Sequence, residues 1–176
     1  VSRARDGLTW VIGRYGIRPG DEVLITDLMC ETAGQAVRRT GARLVTYGLE
    51  PGSFRPSAEA CSRAISERTK VLIVPHLYGV RTDLADFAAL AERQDLLLIE
   101  DSALVFPTDE NELADYQTPA ACVLYSFNYG KPLSLGWGGV ISLSASLAAH
   151  VGSPPVTAME EDDDRFYAAA LLLGHV

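Results

Sequence analysis

Short apolar runs punctuate the chain: "EVLI" (22–25), "RLVTY" (43–47), "KVLIV" (70–74), "DLLLI" (95–99) and "ACVLYSF" (121–127). Each is rich in Val, Ile and Leu, and several are apolar at consecutive positions instead of alternate ones. A strand wetted on one face alternates with period two, so uninterrupted runs predict strands covered on both faces. A further stretch, residues 126–143, ends in the strand-like "GGVISL".

Helical periodicity fills the gaps between these runs. In residues 31–41, Ala33, Ala36 and Val37 share one face and Gly41 is placed to end the helix. In residues 57–66, Ser57 is the expected N-cap, and Ala60, Cys61, Ala64 and Ile65 form the apolar stripe. Residues 82–94 open on a Thr or Asp cap and turn Leu84, Phe87, Ala88 and Ala91 inward. Another helix is expected near Ser2, with Arg3 and Arg5 in its first turn. Strands alternating with helices of this length predict an α/β fold with right-handed crossovers and a mostly parallel sheet between helical layers, a three-layer αβα architecture. "GSPP" (152–155) marks the expected boundary. Residues 1–151 would form one domain, and 152–176 a linker and the start of a truncated second one. There Phe166, Ala169, Ala170 and Leu173 share a helical face.

Composition narrows the functional classes. The 176 residues are 48% hydrophobic and 22% charged, which suits one domain with a substantial core. A net charge of −8 argues against a nucleic-acid partner, because phosphate backbones are bound by clustered Lys and Arg. The acidic run Glu160–Asp164 reads as a solvated loop or helix start. Cys30, Cys61 and Cys122 are widely spaced and form no CxxC, which predicts neither a disulfide framework nor a zinc site. That cysteine pattern fits a reducing cytoplasm, and no apolar run reaches the length of a membrane span. The sequence starts at Val1 without methionine, as a piece of a longer chain would.

In open α/β sheets, ligands bind beyond the carboxyl ends of the strands. Asp101 and Ser126 fall at such ends, and Lys131 lies in the turn beyond Ser126. A lysine in a partly desolvated crevice can attack a carbonyl and form a Schiff base. Pyridoxal phosphate is an aldehyde held in this way, and a carboxylate keeps its ring nitrogen protonated so that the ring works as an electron sink. Its phosphate calls for hydroxyl and N–H donors, best supplied at a helix N-terminus. Lys131, Asp101 and Ser126 match the three requirements, and Arg3 and Arg5 add positive charge. By spacing alone, a surface lysine, a strand-end turn and a backbone-satisfying hydroxyl remain open for the same three residues.

Several ordered segments then carry a resemblance. "GIRPGDEVLI", "TGARLVTYGLEPGSF", "ISERTKVLIVPHLYGVRTDL", "LLLIEDSA" and "YSFNYGKPLSLGWGGVISL" together span Gly16 to Leu143. In this order they are similar to the sugar-nucleotide aminotransferases of the DegT/DnrJ/StrS type, pyridoxal-phosphate enzymes of fold type I. The resemblance implies that Asp101 faces the pyridine nitrogen, Ala103 lies against the ring and Ser126 contacts the phosphate. It implies that Lys131 holds the cofactor as an internal aldimine and then shuttles the proton. It also implies an amino donor such as glutamate or glutamine, a keto-sugar nucleotide acceptor, and a homodimer whose sites are completed by the neighbouring subunit. A lysine at 131, where a dehydrating branch carries histidine, favours transamination.

Three positions depart from the family pattern. Arg3 to Arg5 ("RAR") replaces Ser-Gly-Thr at the phosphate-binding helix start, which leaves Arg5 as the phosphate contact. Cys30 stands where an aromatic residue stacks on the ring, and Leu104 where a glutamine follows the aspartate. These changes motivate a second expectation, a non-catalytic relative that keeps the fold and the dimer surface. A Rossmann-type nucleotide domain fits poorly, because no GxGxxG follows the first strand.

Overall fold

The computed structural model describes residues 1–107, 109, 112 and 116–153. The acidic run at 160–164 and the helix face around Phe166 lie outside the described residues. Six strands form one sheet: β1 (Glu22–Thr26), β2 (Arg43–Tyr47), β3 (Thr69–Pro75), β4 (Leu97–Asp101), β5 (Cys122–Ser126) and β6 (Gly139–Leu143). Their order is β2-β1-β3-β4-β5-β6. All neighbours are parallel except β6, which runs antiparallel to β5. Among the described residues, five α-helices accompany them: α1 (Ala4–Arg14), α2 (Glu31–Arg39), α3 (Ala58–Ala64), α4 (Ala85–Gln94) and α5 (Ala145–Val151). Among the described residues, no helix is long and apolar enough to cross a membrane.

The uninterrupted apolar runs have the cause expected of them: both faces of the sheet are covered. Val23, Ile25, Val71, Ile73, Leu97 and Ile99 pack against Leu8, Val11 and Ile12 of α1, Ala33, Ala36 and Val37 of α2, and Leu147 of α5. Leu24, Leu72, Val74 and Leu98 face the other way, onto Cys61 of α3 and Phe87, Leu90 and Ala91 of α4. Successive side chains of a strand point to opposite faces, so one run feeds two cores. Each fully buried Leu or Ile contributes about 2 kcal/mol of apolar transfer.

Helix ends follow local chemistry. Ser57 caps α3, its Oγ accepting the Ala60 N–H at 3.1 Å. At α4 the helix proper starts three residues later than its periodicity suggested. Asp83 Oδ1 accepts the Ala85 N–H at 2.9 Å, while Thr82 is buried and donates to the Pro75 carbonyl at 3.0 Å. The strand expected at 95–99 is displaced to 97–101. Asp95 closes α4 in the left-handed conformation (φ 52°), its N–H reaching the Ala91 and Glu92 carbonyls. That shift makes Asp101 the last residue of β4.

One glycine decides how α1 meets the sheet. A Cβ on Gly139 would lie 2.7 Å from the Ala4 nitrogen and 2.8 Å from the Tyr125 carbonyl oxygen. Its absence lets the start of α1 rest directly on β6. Gly139 pairs with Ser126 in the sheet, so the first turn of α1 is brought beside the end of β5.

Candidate active site

The carboxyl ends of the parallel strands open into a cleft of about 250 Å³. α1 supplies Arg3, Ala4, Arg5 and Leu8 to its wall, and the start of α2 supplies Cys30, Thr32 and Ala33. The sheet contributes Asp101, Ala103, Leu124 and Ser126, and the following turn contributes Asn128 and Lys131. Every residue nominated from the sequence as a site residue therefore borders one space. Leu104 does not line it.

Asp101 shares the cleft face of β4 with Leu97 and Ile99. Its Oδ1 accepts the Ala103 N–H at 2.9 Å, and its carbonyl accepts the His76 N–H at 3.1 Å. Burial raises the carboxyl pKa above its ordinary value. The Ala103 N–H, Lys131 and His76 pull it back, and the neighbouring Glu100 pushes it up again. Such a group gains from a cationic partner, because an opposite charge in a low-dielectric site favours the ionised form.

Lys131 comes within range through a tight turn. Asn128 Oδ1 accepts the Tyr129 N–H at 2.9 Å, Gly130 takes φ 75°, and the Lys131 N–H returns to the Asn128 carbonyl at 3.2 Å. This turn is why a serine and a lysine five positions apart share one cleft. Among the described residues no salt bridge joins Lys131 to Asp101, so the two act on each other across the space. The Ser126 hydroxyl, at the end of β5, makes no hydrogen bond among the described residues, which leaves it available beside the α1 N-terminus. Arg5 is half-buried in that first turn and Arg3 is exposed. Cys30 is exposed at the start of α2, with its sulfur 3.2 Å from Thr32 Oγ1.

A cluster behind the cleft was not foreseen from the sequence. Glu100 is fully buried on the opposite face of β4. Its Oε1 accepts His76 Nε2 at 2.8 Å, Ser102 Oγ at 2.7 Å and the Tyr116 hydroxyl; its Oε2 accepts Thr118 Oγ1 at 2.6 Å. Burial alone would raise its pKa, but the four donors outweigh it and hold the carboxyl at about 2. The sequence did carry a signal: an acid inside the apolar run "LLLIED" must face one of two buried layers.

This arrangement has relatives. The profile of the DegT/DnrJ/EryC1/StrS aminotransferase family matches residues 1–174. The chain belongs to that family. It is similar to the pleiotropic regulatory protein of Geobacillus stearothermophilus, 34% identical over 137 residues, covering 77% of this chain and 37% of that protein. L-glutamine:2-deoxy-scyllo-inosose aminotransferase of Streptomyces lividus is 34% identical over 137 residues, covering 77% and 32%. GDP-perosamine synthase of Caulobacter vibrioides is 33% identical over 132 residues, covering 72% and 34%. Among solved structures, the aminotransferase TlmJ of Streptoalloteichus hindustanus superposes with a TM-score of 0.72 at 28% identity, covering 85% of this chain and 41% of that one. The fold is that of the fold type I aminotransferases. This family member spans about a third of the length of the curated relatives it matches.

Proposed function

We propose that the chain forms the cofactor-binding part of a pyridoxal-phosphate-dependent aminotransferase that moves an amino group from glutamate or glutamine onto a keto-sugar nucleotide. The observation that carries this reading is the convergence of Lys131, Asp101 and Ser126 with the α1 N-terminus on one cleft. The donor set fits the cofactor. An amine is available to bond the aldehyde carbon, an enclosed carboxyl calls for a cation, and a free hydroxyl sits beside helix N–H groups and Arg5. When bound, the cofactor supplies an electron sink for the carbanion formed at the amino-bearing carbon.

The protein's residues then take defined tasks. Asp101 holds the ring nitrogen protonated, and Ala103 offers a small flat contact to the ring. Ser126, Arg5 and the first N–H groups of α1 hold the phosphate dianion, with Arg5 replacing by charge what a hydroxyl supplies elsewhere in the family. With the cofactor bound, the Lys131 amine would be the group placed to hold its aldehyde and to move a proton as general base and acid. Residues 1–151 serve as the large domain, and a second copy of the chain completes the site in a dimer.

Reduction of the pyridoxal-phosphate-loaded protein with borohydride, followed by peptide mass mapping, tests the reading. A stoichiometric adduct on Lys131, absent in Lys131→Ala, is expected. An adduct on Lys70, the one other lysine of the sequence, in place of Lys131 would overturn it. The second reading, a relative that keeps the fold without turnover, is favoured by Cys30 at the ring position and by Leu104 lying outside the cleft. It predicts a folded protein that takes up no pyridoxal phosphate.

A further inference from the structure

We propose that Glu100 is a positioning residue that locks the end of β4 from behind and thereby fixes Asp101 at the cleft. The inference rests on the reading of Asp101 given above. Asp101 is bracketed on every side by one cluster. Its predecessor, Glu100, is bonded to its successor, Ser102, through the Ser102 hydroxyl at 2.7 Å. Its own carbonyl is held by the His76 N–H, and the His76 ring holds Glu100. The Ser102 N–H is fixed in turn to the Leu124 carbonyl of β5 at 2.9 Å. Tyr116 and Thr118 tie the segment that enters β5, the strand bearing Ser126, to the same carboxylate.

The hydrogen bonds also define the state of the cluster. The Thr82 N–H donates to His76 Nδ1 at 2.9 Å, so Nδ1 is unprotonated and Nε2–H donates to Glu100. Glu100 is thus a buried anion satisfied by four neutral donors, with no cation in its shell. Charge-assisted hydrogen bonds of this kind are about twice as strong as neutral ones, which suits a fixed hub. The charged and titratable groups that face Asp101 are Lys131 across the cleft, Glu100 behind it and the His76 ring of the β3–α4 turn. Cys122, Tyr116 and Tyr125 face the acids from β5 and the segment before it.

Glu100→Gln keeps the shape, since the Thr118 hydroxyl can rotate to accept from the new amide, and it removes the charge. Glu22→Gln is the control: Glu22 is also buried, but it lies at the amino end of β1. Three variants are compared in the full chain by pyridoxal-phosphate titration, by the pH profile of that binding and by amide hydrogen exchange without cofactor. For Glu100→Gln the expected result is binding weakened about 10-fold, the scale typical of partners that orient a ligand-binding group. Its Ser102 and Ala103 amides should exchange faster. Because the Glu100 charge raises the proton affinity of Asp101, the acid limb of binding should also move to lower pH. Glu22→Gln should leave all three readouts unchanged whatever it does to thermal stability. Wild-type binding and wild-type exchange in Glu100→Gln would overturn the inference. Asp101→Asn separates the two levels. If it binds as wild type, the role of Asp101 falls and this inference with it; if it fails to bind while Glu100→Gln is normal, only this inference falls. Should Glu100→Gln not fold, Thr118→Val removes a single donor and is expected to show the same exchange signature to a smaller degree; unchanged exchange there would count against the hub.

Discussion

The sheet buries one glutamate at each end, and the two are served differently. At the amino end, Glu22 accepts Ser66 Oγ at 2.6 Å and pairs with Arg43 at 3.4 Å, whose side chain remains 66% exposed. A cation that is still hydrated neutralises this acid at small desolvation cost. At the carboxyl end, Glu100 has no exposure and only neutral donors, and a second acid, Asp101, follows it. The cations there, Lys131 and Arg5, face the cleft instead of pairing with Glu100. The amino end is electrostatically closed, whereas the carboxyl end keeps positive groups unspent and an acid whose charged form lacks a close partner. That is the condition of a site awaiting a ligand carrying both an anion and a protonated nitrogen.

Truncation sharpens the contrast most. Glu100→Ala strands four donors, three of them side-chain hydroxyls and one a ring N–H, and should lower stability by about 3 kcal/mol. Glu22→Ala should cost about 1 kcal/mol, because Arg43 can be rehydrated. Urea midpoints measure both, and equal losses would remove the distinction. The same difference should appear with pH. The carboxyl pKa of Glu100 is depressed from 4.5 to about 2 in the folded protein. Its contribution is therefore fully present above pH 4.5 and is lost as pH falls towards 2. Acid unfolding of Glu100→Gln should consequently show a shallower pH dependence across that window than the wild type.

The fold was legible because its rules are local. Consecutive apolar residues mark the covered strands, and the strand ends single out Asp101, Ser126 and the nearby Lys131. The misjudged start of β4 is instructive: "DLLLI" reads as one run, yet Asp95 is the residue best able to take a left-handed cap among its neighbours. The Glu100 cluster was illegible for a different reason. Three of its four partners lie 24, 16 and 18 residues away in sequence, and nothing local announces that a folded sheet will deliver them to a buried acid. The same holds for Gly139, whose need for a missing Cβ exists only once α1 has docked.

A second contrast concerns the two adjacent acids of β4. Folding lowers the pKa of Glu100 but raises that of Asp101. A raised carboxyl pKa means that ionisation opposes folding at neutral pH, so the effect on stability has the opposite sign. Asp101→Asn, whose Oδ1 can still accept the Ala103 N–H, should stabilise the protein at pH 7 by about 0.5–1 kcal/mol while abolishing tight cofactor binding. Its stability advantage should shrink as pH falls and wild-type Asp101 becomes protonated. A destabilised Asp101→Asn would mean that the carboxylate is structural, like Glu22, and that the two ends of the sheet are alike.

The smallest expected effect lies on the opposite wall of the cleft. Cys30 is exposed and borders the same space as Asp101 and Lys131. A thiol gives a ring little stacking surface, whereas an aromatic side chain contributes about 0.5–1.5 kcal/mol beyond simple area burial. Cys30→Phe should therefore tighten pyridoxal-phosphate binding about 3-fold, near the low end of that range, without altering the pH profile set by Asp101. Titration of the two proteins side by side measures this. A gain would mean that the carboxyl end retains the full geometry of a cofactor site and has lost only a contact surface. Unchanged or weaker binding would mean that the ring does not lie between Cys30 and Ala103, and that the cleft positions its ligand by charge at Asp101, Lys131 and Arg5 alone.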